Sequence, residues 1–447
     1  MSRRKLREYS VALVTGSHVC NNPRAVKEAT TLAEAGFHVE VFGAWLDREA
    51  KARDLKMLAD VSWRFSPVLD VTKSETRRVG YRVATKVGRL AFRYGGLANR
   101  WQLGYTVSAL RAAVSSSHAD LFIAHSEAGL AAVSGVVGAG RRVGVDMEDW
   151  FSEDLLPEAR RERPLRWLRR LEGQVLRSSA HSSCPSRAMS NALAAEYSCQ
   201  PPVVLYNAFP WSDRQELDGV VKDRIDPRLP SIHWYSQTLG PGRGLEELTT
   251  ALPHMKQQAE IHLRGNPAAG FVESLLANAP AAWRGRIAVH GVVSNAELLS
   301  RIAEHDIGFA GELRYCRSRD LTVTNKILQY LLAGVSVVAS DTAGQREIAL
   351  AAPGAVFLYP GGNPIELAAQ LDRLLASREQ MNAAKTAALR AAETSFCWEK
   401  YADGLVGSVE RGLAAAAGRT GVSRQQPPDP RRLAHWPSAR VRKRTSA

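Results

Sequence analysis

The segment GPGRG, residues 240–244, sets three glycines around one arginine between an apolar run and a helical pattern. Glycines at such a turn let backbone N–H groups approach a diphosphate, and the start of the following helix adds positive potential. Arg243 then has a planar fork of donors with which to neutralise phosphate charge; a solvated loop arginine is the plain alternative. A second cation, Lys326, falls in the first turn of the helical pattern TNKILQYLLAG, where positive charge opposes the helix dipole. A lysine held against that preference expects an anion to meet, and the open alternative is a surface lysine. Gln329 lies on the same side of that helix, while Leu328, Leu331 and Leu332 take the other. A dense acidic run, DMEDWFSED, places Asp146, Glu148 and Asp149 at the end of another apolar run, and clustered carboxylates raise the question of a divalent cation.

These residues need a scaffold that brings strand ends together. SVALVTG reads as a buried strand feeding a glycine turn, PRAVKEATTLAEAG as a helix with Pro near its start and Gly at its end, and HVEVFGAW as the next strand. That order is a βαβ unit, the crossover a parallel sheet requires. ADLFIAHS, RRVGVDME, SSAHSSCPS and PVVLYNAF continue the first series. A second series opens at SIHWYSQTLGPGRGLEELTTAL and continues through AEIHLRG, GRIAVHG, DIGFAGE, VSVVASD and GAVFLY. Two doubly wound α/β domains are therefore predicted, with ligands beyond the carboxyl ends of the strands.

At 447 residues the chain is too long for one ordinary core, and 45% apolar with 23% charged residues is the composition of a globular protein. No run approaches the roughly 20 apolar residues of a membrane span. The basic start MSRRKLREYSVALVTG lacks a cleavage pattern, so a cytoplasmic protein is expected. The five cysteines are scattered and never form CxxC, which argues against a disulfide framework or a zinc site.

The motifs SQTLGPGRGLEEL, GVVSNAELLSRIAEHDIGF and NKILQYLLAGVSVVASDTAGQREI, in that order and spacing, resemble the retaining GT-B glycosyltransferases of the family four type. DLFIAHS and VGVDMEDWFSEDL agree less specifically, and the resemblance covers nearly all of residues 10–415. It implies a Rossmann-like acceptor domain at 1–205, a Rossmann-like nucleotide-sugar donor domain at 206–395 and a helix at 396–417 returning to the first domain. A basic tail at 418–447 is expected to be disordered. It also implies catalytic roles for His125, Arg243 and Lys326. The donor would be held by Gln237, Gly240, Gly242, Gly244, Gly291, Val292, Thr324, Asn325 and Gln329, and the acceptor by Gly16, Asn22, Arg24 and Glu148. Arg24 has two open readings, an acidic acceptor or loop carbonyls. Relatives carry an arginine where Gln237 stands and a ribose-binding glutamate where Gln329 stands. Their other glutamate falls on Leu321. The acidic run lacks the Asp-x-Asp spacing of metal-dependent glycosyltransferases, and two cations already meet a diphosphate, so neither a metal nor another cofactor is expected.

The implied reaction moves a sugar from a nucleotide diphosphate sugar, of UDP or GDP type, to a hydroxyl of a polysaccharide, glycolipid or metabolite, with retention. The departures at Gln237, Leu321 and Gln329 keep a second reading open: a catalytically weak nucleotide-sugar-binding or scaffold protein in a glycan assembly complex. The net charge of +14 is concentrated in two segments. From Lys73 to Arg111, nine Lys/Arg stand against Glu75 alone, and from Gly418 to Ala447 eight stand against Asp429. Arg78, Arg82, Lys86, Arg89 and Arg93 recur at helical spacing beside Val79, Val83, Val87, Leu90 and Tyr94. Such a helix either packs on its own domain or lies on an anionic membrane, at the inner face of the cell membrane, presenting lipid-linked acceptors. Aromatic residues are too few among the cations for specific nucleic-acid binding.

Overall fold

The computed structural model describes residues 8–155 and 157–417; the basic tail at 418–447 lies outside them. Among these residues two units form. The first holds the residues up to Cys184, Ser190–Val203 and those from Ala402 on; the second holds Pro185–Met189 and Val204–Tyr401.

The first sheet is made of β1 (Ser10–Val14), β2 (His38–Trp45), β3 (Arg64–Asp70), β4 (Leu121–Ala124), β5 (Arg142–Asp146), β6 (Ser179–Cys184) and β7 (Val203–Val204). Their order is β3-β2-β1-β4-β5-β6-β7. The second sheet is made of β8 (Ser231–Leu239), β9 (Glu260–Pro267), β10 (Ile287–His290), β11 (Ile307–Ala310), β12 (Ser336–Ser340) and β13 (Val356–Tyr359), in the order β10-β9-β8-β11-β12-β13. Pairing is parallel, as between β1 and β4 or β8 and β11, and the order reverses beside β1 and beside β8. Both sheets are thus doubly wound, the α/β class that the strand–helix alternation predicts. β3 went unread in the sequence because Pro67 interrupts it; as an edge strand it tolerates a residue without an N–H donor.

Six helices carry or flank the residues with chemical potential. α1 (Pro23–Ala35) starts with Pro at its first position, is capped by the Asn22 side chain, and ends at Gly36 with a left-handed φ of 113°. α2 is Glu75–Gly95, α3 is Ser126–Val133 and α4 is Leu245–Ala251. α5 (Asn325–Ala333) buries every residue from Ile327 to Ala333 and ends at the left-handed Gly334. α6 (Glu399–Ala417) joins the first unit from Ala402 on, where Ser408 meets His181 Nδ1 at 2.9 Å. Among the described residues no helix is long and apolar enough to cross a membrane.

The second unit also holds a row of imidazoles, three of them buried and the last, His290, partly exposed. His233 on β8 stacks on His305 at 4.5 Å between ring centroids, His305 lies 4.6 Å from His262 on β9, and His262 stacks on His290 on β10 at 5.3 Å. Burial pushes the pKa of all four down, and His233 and His305 fall well below the usual histidine range.

Candidate functional site

In the second unit, β8 runs out into the glycine loop and then α4. Gly242 and Gly244 have left-handed φ of 74° and 81°, a region where side chains are rarely tolerated. Gly244 also passes so close to the neighbouring backbone that a Cβ on it would lie 2.2 Å from the Gly311 carbonyl oxygen. The Gly242 N–H donates to Glu246 at 3.0 Å, and Arg243 Nη1 donates to Ser236 Oγ at 2.9 Å. Gly240 needs no special φ, and Gln237 is exposed near the carboxyl end of β8.

The close approach of Gly244 to Gly311 ties this loop to Lys326. Glu312, the next residue after Gly311, accepts from Lys326 Nζ at 2.6 Å, and the same ammonium lies 5.5 Å from the ring centre of Trp234 on β8. Glycine loop, Glu312 and Lys326 therefore gather at the carboxyl ends of β8 and β11. The anion that Lys326 demanded is Glu312. Sequence reasoning did not pair the two because they lie 14 residues apart; the place of Glu312 just after a strand was the available signal.

Gln329 is only 7% exposed, and its carbonyl accepts from the Tyr235 hydroxyl at 2.6 Å. The end of the side chain that would accept a ribose hydroxyl is thus engaged. Thr324 is the residue before α5 but makes no side-chain cap, and Asn325 Oδ1 accepts from Asn207 Nδ2 at 2.8 Å. The Leu321 carbonyl accepts from Ser186 Oγ at 2.6 Å. On the β10 side, the Gly291 carbonyl accepts from Arg264 Nη1 at 2.6 Å and Val292 is exposed.

In the first unit, the residues expected on the acceptor side meet at the carboxyl ends of β1, β4 and β5, around a buried charge cluster. Arg24, on the first turn of α1, gives its Nε and Nη2 donors to the two carboxylate oxygens of Asp146, the latter at 2.9 Å. Both groups are almost fully buried, so the guanidinium is engaged by Asp146 rather than by either partner the sequence suggested. Ser183 Oγ also donates to Asp146, at 3.0 Å. His125, fully buried, donates from Nδ1 to Glu148 Oε1 at 2.8 Å, and its Nε2 faces Glu28 at 3.4 Å. Glu148 also accepts from Asn22 Nδ2 at 2.6 Å and keeps 24% of its side chain exposed. Gly16 sits beside the turn into α3, where Ser126 carries a left-handed φ of 67°; a Cβ on Gly16 would meet Ser126 Oγ at 2.9 Å.

The electrostatics follow from burial and pairing. Burial opposes the charge on His125, but Glu28 and Glu148 outweigh it and raise its pKa well above the usual range. Glu28 is pushed up to about 7 by burial and then by the nearby Asp146. Asp146 goes the other way: Arg24 overcomes the cost of burial and holds it ionised. Glu28, His125 and Asp146 also lie close enough together to suit a metal ion, but the guanidinium already takes both Asp146 oxygens. Of this cluster Glu28 was not foreseen. It looks like a solvent-face residue in AVKEAT, yet it is wholly buried on α1.

Residues 232–377 match the family described as Glycosyl transferases group 1. A search of curated proteins found no match to the chain. Among solved structures, the chain is similar to α,α-trehalose 6-phosphate synthase from Burkholderia multivorans, with TM-score 0.65, 15% identity and coverage of 94% of this chain and 99% of that one. It is similar to sucrose-phosphate synthase from Thermosynechococcus elongatus, with TM-score 0.64, 15% identity and coverage of 91% and 100%. HepE of Anabaena, in complex with UDP-glucose, gives TM-score 0.57 at 16% identity, covering 91% and 99%. The fold is the GT-B fold, and the stretch similar to the group 1 glycosyl transferases lies within the second unit.

Proposed function

We propose that the chain transfers a glycosyl group from a nucleoside diphosphate sugar to a hydroxyl acceptor, with retention at the anomeric carbon. The observation that carries this reading is the convergence of the glycine loop, Arg243 and Lys326 at the carboxyl ends of β8 and β11. Two cations and a loop of glycine N–H groups suit a diphosphate leaving group, and charge stabilisation with positioning is most of what such a transfer asks of a protein. The C1–O bond to the diphosphate breaks, the acceptor oxygen bonds C1 on the same face, and the departing phosphate takes the acceptor proton. In this scheme Lys326 exchanges Glu312 for the diphosphate, and the charge is met without a metal. Retention rests on the resemblance of the motifs, and HepE's complex with UDP-glucose makes a UDP-sugar the first donor to try.

The test is release of UDP or GDP from a panel of nucleotide sugars with membrane extract as acceptor, followed by NMR assignment of the product anomer. Arg243→Ala and Lys326→Ala should each weaken UDP at least tenfold while leaving uridine binding nearly unchanged. Equal losses for both ligands would overturn the phosphate roles. Tight nucleotide binding with no turnover would instead favour a binding or scaffold protein, the reading to which the Tyr235–Gln329 bond lends weight.

A further inference from the structure

The geometry of α2 points to a second surface, and we infer that this helix lies on an anionic lipid bilayer. One side of α2 is fastened to its own unit. The Tyr81 ring packs 6.1 Å from Trp101 and 5.4 Å from Tyr105, and Gly88 is buried, with Asn99 Nδ2 donating to its carbonyl at 2.9 Å. A Cβ on Gly88 would lie 2.8 Å from the Trp101 Cβ, so the helix is seated as closely as its backbone allows.

The opposite side carries Val79, Val83, Val87, Leu90 and Tyr94, which are 42–79% exposed. At about 1.5 Å of rise per residue they form an apolar stripe about 22 Å long. Helical geometry sets the exposed Arg82, Lys86, Arg89 and Arg93 in a row along one edge of that stripe. Single exposed apolar residues are ordinary, but a continuous stripe bordered by one sign of charge marks an interaction surface.

Charge decides the occupant. A second copy would set like-charged rows against each other, and the chain's own segment Gly418–Ala447 is itself basic, with eight Lys/Arg against Asp429. An anionic bilayer fits both parts. The aliphatic side chains enter the headgroup boundary, while the long basic side chains reach the phosphates. This surface does not depend on the donor chemistry proposed for the second unit.

The test is cosedimentation of the full chain with vesicles of phosphatidylglycerol and phosphatidylcholine, against vesicles of phosphatidylcholine alone, at about 0.1 M salt, where screening still leaves short-range attraction. Wild type should pellet with the anionic vesicles and stay in solution with the neutral ones. Arg82→Ala, Lys86→Ala and Arg89→Ala combined should weaken binding on the order of 100-fold, at about fivefold per cation. Val83→Asp with Val87→Asp should abolish it. Val83→Leu should retain it, and circular dichroism should show all variants folded, since the altered side chains are exposed. Vesicle binding unchanged in the charge and Asp variants would overturn the inference, as would no binding by wild type. A dimer by light scattering that the Asp variant dissolves would assign the stripe to a second copy instead.

Discussion

Arg24→Met tests the buried cluster most directly. The substitution keeps an unbranched side chain of similar reach but removes the two donors that Asp146 accepts from Arg24. Asp146 would be left fully buried beside Glu28, with Ser183 and His125 as its remaining partners. Breaking one side of a buried ion pair costs about 3–5 kcal/mol, because the surviving charge keeps its desolvation penalty and loses its attraction. At about 3 °C per kcal/mol for a unit of this size, the first unit should melt on the order of 10 °C lower. Two units make a global two-state analysis unsafe, so the sharper readout is amide exchange in peptides covering β1 and β5. Exchange there should rise by at least about 100-fold, while β8 and β11 stay protected. Arg24→Met combined with Asp146→Leu removes the orphaned charge and should recover most of the loss. If Arg24→Met alone costs less than about 1 kcal/mol, well under the roughly 3–5 kcal/mol of a broken buried pair, the cluster does not stabilise the first unit.

Two further outcomes are expected. Gly244→Ala combines a left-handed φ of 81° with a Cβ 2.2 Å from the Gly311 carbonyl, so it should cost about 2 kcal/mol or more and lower UDP affinity by displacing the loop; calorimetry checks both. Acidification should destabilise the second unit. The pKa values of His233 and His305 are lower in the folded state than in the unfolded chain, so the unfolded chain binds more protons once the pH drops below about 6.5. Their contribution is complete above that pH and is lost as the pH falls toward their folded values, at up to about 1.4 kcal/mol per pH unit for each imidazole. Thermal unfolding of β8 and β9 peptides between pH 7.5 and 5 that showed no decline would contradict this.

The strands of the second unit were legible because each is a short apolar run ending in Gly, Pro or a polar residue, and AEIHLRG through GAVFLY all fall on observed strands. The helix after Thr324 was equally plain, with its left-handed stop at Gly334. Contacts between distant segments were not. Lys326 could be flagged as needing an anion, since the helix dipole is a local argument, but only the sheet order brings Glu312 to it. Gln329 was placed on the side of the helix that carries Lys326, where the resemblance put a ribose-binding glutamate. The tyrosine that draws it inward sits 94 residues earlier. The cluster around Asp146 shows the same limit: Arg24, His125 and Asp146 each sit at the end of a recognisable element, yet a count along the chain says nothing about Glu28 turning into the protein. The stripe on α2 was visible as a pattern, but whether its apolar side faced its own unit was a tertiary fact.

The first unit borrows its last helix from the far end of the polypeptide. Gly412 on α6 lies against Ala180 so closely that a Cβ there would sit 2.2 Å from that carbonyl, and Ser408 meets the buried His181. During synthesis, β6 therefore leaves the ribosome more than 200 residues before the helix that covers it. The second unit can complete its sheet in that interval, whereas the first must wait with one face of β6 uncovered. Nascent chains stalled before residue 402 should accordingly be the species that chaperones hold, and assembly of the first unit waits until that helix has been made.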